Sequence, residues 1–214
     1  MSDLTAIDVL VNPDEKAVQH ARTWNARMRE SVRDGFALDA THQPHITTLQ
    51  RYVRTAELDS VYDAVQETLA ATDASALSYQ AVAIKHADWG VPGQGLAVIL
   101  VQPSPQVLDL QAALLAAITP CTEPGGTAAA FVTNPDEEIT QSTLDWVAGY
   151  VPAQIGPGRY TAHITVGFAS LDDLKTIEAE PFTAFEIHPA SIAVYHLGNN
   201  GTARTELKAW PIPD

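Results

Sequence analysis

A single cysteine, Cys121, is all the thiol chemistry this chain offers. That excludes an internal disulfide framework and a cysteine-built zinc site. Set in a Pro/Gly loop with no motif around it, Cys121 is also a weak nucleophile candidate. Long apolar runs are missing: nothing approaches the ~18 residues of a membrane span, and Met1-Ser2-Asp3-Leu4-Thr5 lacks the basic-then-apolar pattern of a secretory signal. Basic residues are scarce, 12 Lys and Arg against 26 Asp and Glu, for a net charge of −14. Proteins that grip a long nucleic-acid backbone need a basic face, so a long polyanion is repelled here on average, while a small phosphate or an RNA terminus in a local pocket is not excluded. The Gly-x-x-x-x-Gly-Lys-Ser/Thr phosphate loop, the Gly-x-Ser-x-Gly elbow and the His-Glu-x-x-His helix are all absent. The expectation is a soluble cytoplasmic protein with no membrane partner. Its apolar share of 46% is enough for a packed core.

What is present is a pair of short strings, Pro44-His45-Ile46-Thr47-Thr48-Leu49 and Ala162-His163-Ile164-Thr165-Val166-Gly167. In a β-strand, residues two apart share a face, so each string would put one imidazole and one hydroxyl on one side and Ile on the other. Around them the pattern predicts a strand over 6–11, a helix over 15–33, the first His strand to about 53, a helix over 55–71 and a strand over 76–86. There follow a strand over 96–101, a helix over 106–118, a short strand over 128–132, an acidic turn and a helix over 139–147. The second His strand, a helix over 171–178, and strands near 185–197 and 202–210 joined at Gly198-Asn199-Asn200-Gly201 complete the chain.

The order strand, helix, His strand, helix, strand, strand reads as a unit that recurs. Ile7–Pro13 aligns with Ala97–Pro103 at a separation of 90, and Ala81–His86 with Ser191–His196 at 110. The two motif histidines lie 118 apart, so the second half carries about 28 extra residues, assigned to an insertion over 121–150. The expectation is a single domain over 1–214 of two pseudo-symmetric lobes, with repeat units of about 5–90 and 95–212, whose symmetry sets the two His strands across a shared cleft.

Alternation ranks the other candidates. Ile164, Val166 and Phe168 form one face of the second strand and His163, Thr165 and Gly167 the other. In the first strand Gln50 and Arg51 interrupt the alternation, as a bulge would. Lys85 and Tyr195 fall on cleft parity as candidates for holding a phosphate or a base, and Arg51 and Tyr160 flank the motifs as candidate contacts to an anionic substrate. Arg159 flanks them equally. His86 and His196 fall on core parity, and His42 reads as a solvated turn residue. A zinc site on His45 and His163 would lack a third ligand.

Paired, ordered His-x-Thr strings at His45-Ile46-Thr47-Thr48 and His163-Ile164-Thr165-Val166, with Pro44 before the first, resemble the 2H phosphoesterase superfamily, in particular its 2′-5′ RNA ligase-like, cyclic-phosphodiesterase branch. The resemblance spans Ile7 to Trp210. It implies an α+β, duplicated two-lobed fold, each lobe an antiparallel sheet with helices on its outer face. It also implies metal-independent hydrolysis of a cyclic phosphodiester, such as the 2′,3′-cyclic phosphate of a nucleotide or RNA end, without a cofactor; a monomer is the separate expectation. By the same resemblance His163 is the base, His45 the acid, and Thr47 and Thr165 donors to the phosphate oxygens. Two imidazoles that titrate near neutrality can supply that acid and base. The other readings are a non-catalytic module binding nucleotides or RNA ends, and a 2′-5′ RNA ligase acting by reversal of hydrolysis. The acidity of the chain and its few basic residues near the motifs depart from the best-known members, which bears on an RNA substrate more than on the chemistry.

Overall fold

β-branched runs bounded by Pro, Gly and capping residues become strands and helices close to the expected boundaries. The computed structural model describes residues 3–39, 42–134 and 137–213. Residues 40–41 of the Asp39–Gln43 turn and 135–136 of the acidic turn lie outside the described residues. The elements are β1 (Leu4–Pro13), α1 (Glu15–Ser31), β2 (Ile46–Arg54), α2 (Leu58–Ala70), β3 (Tyr79–Ala87), β4 (Gln94–Pro103) and α3 (Pro105–Ile118). The rest are β5 (Thr122–Glu123), α4 (Gln141–Gln154), β6 (His163–Ser170), α5 (Leu171–Ala179), β7 (Phe185–Ile187), β8 (Pro189–Leu197) and β9 (Ala203–Pro211). Side chains of Asp14, Thr140 and Ser170 cap α1, α4 and α5, and Pro105 starts α3 where its missing N–H has no partner to lose. Among the described residues no helix is long and apolar enough to cross a membrane.

Two antiparallel sheets result, β5-β2-β1-β8-β9 and β6-β4-β3-β7. The chain is thus an α+β fold of two lobes, and each motif strand belongs to a different sheet. The outward faces, with Ile7, Val9 and Leu49 on one sheet and Ile84, Ile99 and Ile164 on the other, share one continuous core with residues of α1, α2, α3 and α5.

Four expectations are corrected. The sheets are not the repeat units: β3 leaves the first half to pair with β4, and β8 leaves the second half to pair with β1. The expected strand over 185–197 is two strands in different sheets, parted at His188. There Asp14 N–H donates to the His188 carbonyl at 2.9 Å, His188 N–H donates to Asp14 Oδ2 at 2.7 Å, and Pro189 has no N–H to continue the ladder. The alanine run at 128–130, poor in β propensity, is a 3-10 turn that buries Phe131 edge-on against Tyr52. Helix α4 also extends past Val147, because Tyr150 continues its buried stripe.

Candidate active site

Both motif strands are bulged at the residue after the motif threonine. In β2, Thr48 has no ladder partner between the pairs Leu49–Val9 and Thr47–Leu10. In β6, Val166 has none between Gly167–Ala97 and Thr165–Val98. An extra residue leaves its backbone groups without ladder partners and shifts the alternation beyond it. Buried amides from helices meet that need: Gln111 Nε2 on α3 donates to the Thr48 carbonyl, and Asn25 Nδ2 on α1 to the Val166 carbonyl, each at 2.9 Å. Gly167 takes φ 132° beside the second bulge, where a Cβ would approach Met28 Cβ to 3.1 Å.

The two histidines are held alike. His45 Nδ1–H donates to the Gln43 carbonyl at 2.9 Å and His163 Nδ1–H to the Thr161 carbonyl at 2.8 Å. With Nδ1 protonated and engaged, Nε2 is the basic nitrogen of each neutral ring. Burial pushes both imidazoles below the ordinary 6.5, the carbonyl bonds oppose that shift, and a proton on His163 further disfavours one on His45. The fold therefore brings the two rings within electrostatic reach.

The threonines are not equivalent. Thr165 lines a cavity of about 210 Å³ with His45. Thr47 Oγ1 lies 2.7 Å from Oδ2 of Asp8, a fully buried carboxyl on β1.

The cavity lies between the sheets. Leu96, Thr165 and Phe168 close it from one side, His45, the β8–β9 turn (Asn199, Asn200, Thr202) and the start of β9 (Ala203, Arg204) from the other, and Phe36, Leu38, His42, Gln43, Trp89 and Glu137 complete the lining. His42 is no solvated turn residue: its ring stacks on Phe36 with centroids 5.4 Å apart. Phe168 also differs from its expected place. The bulge carries it into the cavity wall and turns Gly167 toward α1. Arg204 is paired with Glu137, which the insertion supplies. Among the described residues no three His, Cys, Asp or Glu side chains converge to hold a metal.

Of the four motif residues His45 and Thr165 line this cavity, His163 and Thr47 are not among its lining residues, and the remaining candidates lie outside it. The bulge puts Gln50, not Arg51, on the Thr47 face. Arg51 stands opposite Ile7 on the core side and donates to Thr122 Oγ1 at 2.5 Å. Lys85 Nζ pairs with Glu178 Oε2 at 3.3 Å, and His86 Nδ1 with Oε1 of the same carboxylate at 2.5 Å. Tyr195 is buried, donates to Glu206 Oε2 at 3.0 Å, and is pushed up to about 12 mainly by burial. Tyr160 lies beneath the first motif and donates to the Thr47 carbonyl at 2.7 Å, a support for the backbone. His196 Nε2 is 2.8 Å from the Ala130 carbonyl, and burial pushes the Cys121 thiol up. Asp8, Phe36, Trp89, Arg204 and Glu137 escaped the sequence reading. Of these, only Asp8 carried a signal, as the one carboxylate in an otherwise apolar strand.

The family model of the 2'-5' RNA ligase superfamily matches residues 12–197. No curated protein matches the chain. Among solved structures, TT0787 of Thermus thermophilus is similar at a TM-score of 0.58, with 15% identity over 97% of each chain. E. coli LigT, solved in complex with 3'-AMP, gives 0.49 with 13% identity over 100% of each chain. Usb1 of Kluyveromyces marxianus gives 0.45 with 8% identity over 99% of each chain. At these identities a likeness speaks for the fold, and the Thermus protein carries that point.

Proposed function

Because the chain belongs to the 2'-5' RNA ligase superfamily of 2H phosphoesterases, we propose that it hydrolyses a cyclic phosphodiester, most directly a 2′,3′-cyclic phosphate on a nucleotide or RNA end, by two-histidine acid-base catalysis without a metal. The observation that carries this is the matched pair of imidazoles, each with Nδ1 tied to the carbonyl two residues back. Their Nε2 atoms are then available for the reacting groups. Repulsion between the rings makes the second proton harder to add than the first, so the state with one acid and one base spans a wider pH range.

With His163 as base and His45 as acid, His163 Nε2 takes a proton from water as its oxygen bonds to phosphorus. The ring P–O bond breaks, and His45 Nε2–H gives its proton to the leaving ribose oxygen. The product is a phosphomonoester with a free hydroxyl, and proton exchange with water resets both rings. Hydroxyls of Thr165 and Thr47 donate to the non-bridging oxygens, where charge gathers in the transition state. The aromatic edge of the cavity, Phe36, His42, Trp89 and Phe168, suits a nucleobase, which stacks on such rings without needing a basic groove.

The test is turnover of 2′,3′-cyclic nucleotides and cyclic-phosphate-ended RNA in EDTA. Wild type should remain active, and His45→Ala or His163→Ala should each lower kcat by about 10²–10⁴. Failure of wild type on every such diester would leave a nucleotide-binding module instead, and loss of activity to EDTA alone would remove the metal-free mechanism. Joining of a cyclic-phosphate end to a hydroxyl end would add the reverse reaction through the same groups.

A further inference from the structure

Asp8 is fully buried in the middle of β1. Its Oδ2 lies 2.7 Å from Thr47 Oγ1 and 3.0 Å from Gln50 Nε2, and Oδ1 meets no hydrogen-bond donor. Among the described residues no Lys, Arg or His forms an ion pair with it. A carboxylate without water or counter-charge is strongly disfavoured, whereas a neutral carboxylic acid that donates one hydrogen bond is not.

A threonine hydroxyl has one proton to give. If Asp8 is ionised, that proton points at Asp8, and Thr47 has none for a phosphate. If Asp8 is neutral, its own O–H can point at Thr47 Oγ1. We propose that Asp8 is a positioning residue whose neutral acid donates to Thr47 Oγ1 and turns the Thr47 hydroxyl proton toward the substrate phosphate, while its carboxylate withdraws that donor. The chain of donors then runs from Gln50 Nε2 to Asp8 Oδ2, from Asp8 to Thr47, and from Thr47 to the phosphate, each bond polarising the next. The second motif has no equivalent: Asp8 stands opposite Gln50, three residues past Thr47, and the residue opposite Phe168, three past Thr165, is Leu96. This inference rests on the reading above, in which Thr47 contacts the phosphate.

Burial raises Asp8 from 3.8 to about 7, opposed by the bonds from Gln50 and Thr47. The groups around it do not reverse that. From β2 come Thr47 and Gln50, with Arg51 on the other face. From β8 comes Tyr195, directly opposite Asp8, its hydroxyl bonded to Glu206. From α4 comes Tyr150, held well above its usual value first by burial and then by the charge of Asp8.

Two measurements test the proposal. The first is kcat/KM for 2′,3′-cyclic AMP from pH 5 to 9 in wild type, Asp8→Asn and Thr47→Val. Wild type should show, beyond the histidine limb, an additional fall of about a hundredfold centred near pH 7, the size of losing one transition-state donor. Asp8→Asn should lack that fall, because its amide donates to Thr47 at every pH while the Gln50 amide, whose Oε1 is unpaired, rotates to accept. Thr47→Val should lack it too, starting from a lower rate. An unchanged alkaline limb in Asp8→Asn overturns the proposal. The second is carbon NMR titration of the Asp8 carboxyl in unliganded wild type. A carboxyl that titrates near 7 supports the inference whichever diester is the substrate, and one already ionised at pH 5 overturns it even in an active enzyme.

Discussion

His45 and His163 carry the clearest pH consequence at the scale of single residues. The base must be neutral and the acid protonated, so the rate rises through the lower apparent pKa of the pair and falls through the higher. Burial depresses both below 6.5 in the free protein, so kcat/KM should peak on the acid side of 6.5. A bound phosphate anion raises both, and the kcat optimum should lie at higher pH. A kcat/KM profile with one limb only would contradict a two-imidazole mechanism. The Glu137–Arg204 pair gives a second prediction: Glu137→Gln should free the guanidinium for an anionic ligand and lower KM several-fold with little change in kcat, an effect that fades as salt is raised. The motif histidines and threonines were legible because His and Thr two apart need only alternation to share a face. Lys85 and Tyr195 were named by parity and Arg51 and Tyr160 by flanking the motifs, and neither signal says what partner a long side chain finds. Glu178, Thr122, Glu206 and the Thr47 carbonyl are those partners.

At the scale of elements, the device that aims the motifs is the matched pair of bulges and the helices that hold them. Helix α1 of the first half holds the β6 bulge through Asn25, and α3 of the second half holds the β2 bulge through Gln111. Replacing Asn25 by Leu takes the side-chain donor from the Val166 carbonyl, and replacing Gln111 by Leu leaves the Thr48 carbonyl only the 3.4 Å bond from the Tyr150 hydroxyl. Each change should cost about 1–3 kcal/mol by denaturant unfolding and lower kcat more than it raises KM, since the His–Thr spacing shifts while the cavity stays. Gly167→Ala should be destabilising by about 1–3 kcal/mol, because φ 132° strains any residue with a Cβ, and that Cβ would lie 3.1 Å from Met28 Cβ and 3.2 Å from Asn25 Nδ2. Of this, only the bulge of the first motif strand left a trace in the chain. An Asn or Gln in an amphipathic helix reads as solvated until the fold shows it is buried, and a bulge leaves only the irregular alternation seen at Gln50–Arg51.

For the whole molecule, we propose that the two halves are copies of one unit. Supporting this, the bulged residues Thr48 and Val166 stand as far apart in sequence as the motif histidines. His196 also faces Ile7 as His86 faces the aligned Ala97. Alignment of strands could reveal that recurrence, but not that the copies trade a strand, because pairing partners leave no mark in composition. The net charge of −14 predicts that KM for cyclic-phosphate-ended RNA rises with RNA length at low salt and falls as salt is added, opposite to a basic-groove binder. Global stability should depend on Asp8. Its folded value of about 7 stands above 3.8, so the folded state holds a proton the unfolded state has released, and stability is lost as pH rises from about 4 through 7. The melting temperature of wild type should fall over that range by more than that of Asp8→Asn. The traded strand finally bears on biosynthesis. On the ribosome, every strand of the β6-β4-β3-β7 sheet has been made once Ile187 is out, but β1 must wait for β8 with one side of its ladder open. β1 is thus completed only after every strand of the other sheet has been made. A nascent chain stalled just after residue 187 would present that open edge to its neighbours until β8 follows.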